Sequence, residues 1–151
     1  MPATIDTIAD LVKAALEVQG FVTSVGAIVA TMSLPNFDQV EAGESILIKI
    51  AGYEVLDIQH HDRAGVVENQ KIGIGIFKTL TRDADGQLNE ADFRAMKSLA
   101  ESVRRWAWTG ISEYECKMSG PANGAMYDGP QARAGKFLYV NDVTYFAEFE
   151  L

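Results

Sequence analysis

The chain has 151 residues, 48% of them hydrophobic, which is enough for one buried core and too little for two. Thirteen Lys and Arg against 21 Asp and Glu leave a net charge of −8, which argues against general affinity for nucleic-acid phosphates and favours solubility. Cys116 is the only cysteine, so an intramolecular disulfide is excluded and folding in the cytoplasm is the expectation.

Met1-Pro2-Ala3-Thr4-Ile5-Asp6 lacks the basic start and compact apolar segment of a secretory signal, so the mature chain is expected to be the encoded one. A first helix is predicted from Thr4 as its cap, with Ile5, Ile8, Leu11, Val12, Ala15 and Leu16 at helical spacing and Gly20 placed to stop it. Phe21 to Leu34 is the most apolar stretch, but Thr23, Ser24, Thr31 and Ser33 interrupt it and it falls short of a membrane span. Its β-branched part, Val22 to Met32, reads as a buried strand, and Pro35-Asn36-Phe37-Asp38 as a turn.

Ile46, Ile48 and Ile50 alternate as in a strand with one buried face, and Gly52 is expected to end or bend it. Tyr53 to His60 is a further extended stretch leading into the polar segment His61-Asp62-Arg63-Ala64-Gly65, an exposed loop or hairpin tip. In the strand Lys71 to Lys78, Ile72, Ile74 and Ile76 share one face while Gly73 and Gly75 on the other predict a shallow groove.

A second helix is predicted from Asn89, with Asp92 three residues on and a stripe of Phe93, Met96, Leu99, Ala100, Val103 and Trp106. Arg104 and Arg105 suit its negative end. A strand near Ile111 to Lys117 follows, then a long loop through Ser119-Gly120-Pro121-Ala122-Asn123-Gly124 and Asp128-Gly129-Pro130 to Gly135. The chain closes with a strand whose odd positions include Phe137, Tyr139, Val143, Tyr145, Ala147, Phe149 and Leu151. This order predicts one α+β domain over residues 1–151: a mostly antiparallel β-sheet with two α-helices packed on one face and long hairpin or loop extensions.

Three stretches imitate chemistry. Thr81 to Asp92 places Asp83, Asp85, Gly86, Leu88 and Asn89 as a calcium loop would, but Thr81 stands for the first Asp, Asp92 for the bidentate Glu, and no helix precedes it. A strand-to-helix turn with a helix cap explains the same residues. His60, His61 and Asp62 have too few ligand types nearby for a metal, and adjacent residues of a strand point to opposite sides. Gly73-Ile74-Gly75 lies within a strand, whereas a phosphate-binding glycine loop sits between a strand and a helix. Cys116 and the histidines show no local nucleophile motif. Trp106 reads as core, with Trp108 open between core and ligand platform. No catalytic residue, cofactor or metal site is therefore expected, and a protein that works by contact with other subunits is.

Four features carry a family resemblance: the strand Ile46-Leu47-Ile48-Lys49-Ile50; the polar loop with Arg63 followed by Lys71-Ile72-Gly73-Ile74-Gly75-Ile76-Phe77-Lys78; the long helix; and Ala125-Met126-Tyr127-Asp128 before the terminal strand. In these the chain resembles the tail terminator, or tail completion, proteins of long-tailed bacteriophages. Met126 stands where the family often has leucine before Tyr-Asp, and Gln131, Arg133, Lys136 and Phe137 echo its charged stretch and entering aromatic, while Gly129-Pro130 departs from its turn.

The resemblance implies a non-enzymatic virion protein, made in the host cytoplasm, that forms a hexameric ring on the tail tube. Such a ring ends tube polymerisation and offers the head-docking surface. Its implied partners are further copies of itself, the tube protein and a head-closure or neck protein, with DNA passing through unbound. The candidate contact residues are His60, His61, Arg63, Val66 and Val67 in one loop and Met126 and Tyr127 in another. Another neck protein, or an unrelated small ligand-binding α+β domain, is the alternative reading.

Overall fold

The computed structural model describes residues 3–31, 45–60, 65–120 and 127–150, without the side chains of residues 31, 56–60, 117–120 and 150. In chain order these form α1 (Thr4–Glu17), a 3-10 turn (Gly20–Val22), β1 (Val25–Thr31), β2 (Ile46–His60), β3 (Gly65–Thr79), α2 (Glu90–Ala107), β4 (Glu115–Gly120), α3 (Gly129–Arg133) and β5 (Lys136–Glu150). The strands make one five-stranded sheet in the order β1-β2-β3-β5-β4. β1 runs parallel to β2 and every other pair is antiparallel. The α+β class with a mostly antiparallel sheet is thus observed. The turn Pro35–Asp38 lies outside the described residues.

Register explains the core. Ile48, Ile76 and Tyr139 lie side by side across β2, β3 and β5, as do Ile50, Ile74 and Asn141, and Ile72 faces Val143. Side chains in one such row share a face. The apolar stripes of α1 (Ile8, Val12, Leu16) and α2 (Met96, Leu99, Ala100, Val103, Ala107) are buried against these residues in one cluster. Both long helices therefore cover the same face, as their amphipathic spacing requires.

Local chemistry corrects several boundaries. Thr4 is the first residue of α1, not its cap; Ala3 is the cap residue, and the Thr7 hydroxyl donates to its carbonyl. Gly20 lies in the 3-10 turn, so α1 stops at Glu17 before reaching it. Gly52 bends β2 without ending it, because the register shifts between Gly52 and Glu54 and again between Val55 and Ile58. Bulges of this kind coil a strand and raise its twist.

Gly73 and Gly75 do alternate with the isoleucines, yet both are buried, so the expected groove is not open. The reason is their neighbours: Lys49 and Val140 flank Gly75, and Ala51 and Asp142 flank Gly73. Asn89 caps α2 by accepting from the Ala91 and Asp92 amides, and Arg104 and Arg105 occupy its last turn.

Candidate subunit interface

β2, β3 and β5 are each 15 residues long, about 50 Å fully extended at about 3.3 Å per residue, while the helices cover only part of that length. Among the described residues, the core cluster takes nothing from β2 beyond Ile50, from β3 before Ile72, or from β5 after Tyr145. The three strands nevertheless stay paired to their ends, with Val66 between His60 and Phe149, and Val67 between Gln59 and Glu148. The result is a three-stranded projection. Its extended state comes from ladder bonds on both sides of β3, which need no apolar pattern.

The root of the projection is braced on the face away from the long helices. Tyr53, in the first bulge of β2, lies beside the Asp142 carboxylate of β5. Lys71 of β3 lies 4.0 Å from the same carboxylate and 5.5 Å from the centre of the Tyr53 ring. Burial, and then the neighbouring Asp142 charge, push the Tyr53 hydroxyl well above the usual phenol range, so it stays a neutral donor. One tyrosine, one lysine and one aspartate thereby tie three strands together where the helical cover ends.

Val66 and Val67, both predicted contact residues, sit half-buried on opposite faces of this projection. Val66 shares its face with Phe149, and Val55, 47% exposed on β2, lies in one row with Gln70 and the core residue Tyr145, so an apolar strip continues outward from the core past the buried Ala147. The backbone of His60 is in β2, paired with Val66. His61, Arg63 and Met126 lie outside the described residues.

Tyr127 belongs elsewhere. Its ring meets Phe93 edge-on at 4.8 Å between centroids and lies 6.3 Å from Phe137. The cluster flanks a hollow of about 330 Å³ lined also by Leu88, Ala132, Glu90 and Arg133. Phe137 and Phe149 stand at opposite ends of β5, about 40 Å apart along an extended strand, so Val66 and Tyr127 lie in two separate regions of the fold. Tyr127 is also half-buried, holding α2 to the start of β5, which gives it a packing role within the chain.

The neighbouring Asp128 caps α3 by accepting from the Gln131 amide at 3.0 Å. The predicted loop thus contains a short helix. The signal was present, since Asp followed by Gly-Pro is a cap with proline in the first helical turn.

The stretches that imitate chemistry are used structurally. Asp83 accepts from the Asp85 and Gln87 amides, each at 2.9 Å, while Arg82 and Leu88 bridge the turn and Gly86 adopts φ +78°. Asp92 accepts from the Thr81 amide (2.9 Å) and hydroxyl (3.0 Å) and pairs with Lys78. The two outer carboxylates of the calcium-like stretch thus face protein donors, as a strand-to-helix turn requires. Among the described residues no group of three or more His, Cys, Asp or Glu could hold a metal.

The Cys116 thiol donates to the Trp108 carbonyl at 3.3 Å, and burial pushes its pKa up, the opposite of an activated nucleophile. Trp106 packs against Gly110, at the border of the core. Trp108 is 54% exposed. No described helix is long and apolar enough to cross a membrane. The chain matches no protein-family model and no curated protein.

Proposed function

We propose that this protein is a structural virion component that assembles as a hexameric ring on the end of a phage tail tube, stops tube growth and presents the docking surface for the head. The observation that carries the reading is the three-stranded projection, whose Val66 and Phe149 lie outside the core cluster and whose Val55 is exposed at its root. A sheet held rigid by β3 pairing on both sides and by the Tyr53–Lys71–Asp142 brace is suited to contact with another subunit. The mechanism is occupancy. One ring face reproduces the tube contact, the other does not accept a further tube ring, and no bond is made or broken.

The net charge of −8 suits a passage for DNA, because an acidic wall releases no counterions from the duplex. Deleting the gene from a producing phage or prophage tests the reading by electron microscopy. The expected particles are full heads without tails beside overlong tubes. Leaking heads beside tails of normal length would instead indicate a head-closure protein, and normal particles would exclude both.

A further inference from the structure

The two margins of the sheet differ in a way that pairs them with each other. Among the described residues β1 forms one margin with seven residues, Val-Gly-Ala-Ile-Val-Ala-Thr, and has neither a charge nor a proline. Gly26, Ala27 and Val29 are exposed there, Val29 by 40%. Edge strands that must stay single are normally protected by lysine, proline or inward charges, and β1 has none of these. β4 forms the other margin with six residues. Beside it opens a hollow of about 490 Å³ lined by Trp108, Ile111, Tyr114 and Phe146, with Trp108 the most exposed aromatic of this margin.

Strand directions make the margins compatible. β1 and β2 run the same way, and three antiparallel steps from β2 through β3 and β5 to β4 leave β4 opposed to β1. When a second copy continues the sheet in the same orientation, its β1 meets β4 antiparallel, the more stable ladder. The lengths differ by one residue, and the contact is head-to-tail, the type that closes into rings. A contact between two β1 strands would be self-complementary and would stop at two copies.

We infer that β1 of one copy adds to the sheet of the next copy at β4, with the Trp108 hollow receiving its apolar side chains. This rests on the ring reading and specifies the edges that build it. The test introduces Val29→Cys and Glu115→Cys, singly and together, into a Cys116→Ser background. Each variant is treated at millimolar concentration with a short thiol-to-thiol crosslinker, after its thermal melt has been matched to the parent's.

The double variant is expected to give a ladder at multiples of the chain mass, with at least tenfold more crosslinked product than either single variant. Dimers from Val29→Cys alone would replace the inference with a β1–β1 contact. A single band in all three variants overturns it. If native mass measurement shows a ring that yields no ladder, the ring reading stands and the edge assignment falls. A ladder from a protein whose deletion leaves tails unchanged keeps the edge assignment and removes the ring cap.

Discussion

Gly52→Val is expected to lower the free energy of unfolding by about 3 kcal/mol, toward the upper end of overpacking effects. A Cβ at Gly52 would run into the Ile5 side chain, come within 2.9 Å of the Ile5 carbonyl oxygen and within 3.2 Å of Ile72 Cδ1. The carbonyl belongs to the first turn of α1 and does not rotate away like a side-chain tip. The helix must lift, exposing Ile8, Val12 and Leu16, all fully buried. In urea, with a slope of about 1–3 kcal/mol per molar, the midpoint falls by about 1–3 M. An unchanged midpoint would show that α1 does not rest on β2 at this glycine.

Asp92→Asn is the second large change, with an expected loss of about 2–3 kcal/mol at pH 7. Burial alone would raise the Asp92 pKa, but the hydrogen bond from Lys78, followed by those from the Thr81 amide and hydroxyl, outweighs it and holds the carboxyl below its usual value. A carboxylate with a lowered folded pKa adds stability above its unfolded value of about 3.9, and that stability is lost as pH falls through the lower folded value. The parent should therefore lose this contribution on acidification below about pH 4, while Asp92→Asn, already without the charge, should not. The gap between the two proteins' urea midpoints should be narrower at pH 3 than at pH 7. A gap equally wide at both pH values would assign the effect to shape and not to charge.

The parts legible in the sequence are those where local chemistry and burial agree. α2 was readable because the Asn89 cap and the stripe through Met96, Leu99, Ala100 and Val103 both follow from helix geometry. The isoleucines of β2 and β3 were readable for the same reason. The outer part of β3 was not, since Glu68, Asn69 and Gln70 follow no apolar alternation and are held by ladders on both sides. The parallel direction of β1 was equally hidden, because a strand's apolar run is the same in either direction.

Asn141 marks a different limit. It occupies an apolar-facing odd position of β5, fully buried beside Ile74, and neither atom of its amide has a partner among the protein atoms. The alternation around it predicts a hydrophobic residue, and the structure offers no physical account of the amide. Of the candidate contact residues, the structure places Val66 and Val67 half-buried within β3, whereas the packing of Tyr127 against Phe93 joins residues too far apart in sequence for any local pattern.

The most direct measurement is tail length in particles lacking the gene and complemented with Val66→Glu. Val66 is half-buried on the projection and outside the core cluster, so the variant's thermal melt should match the parent's within a few degrees. Overlong, headless tails equal to those of the deletion are predicted, because a charge at Val66 would block the contact proposed between the projection and the tail tube. Tails of normal length joined to heads, from a variant that folds, would contradict the claim that this surface is where the protein works.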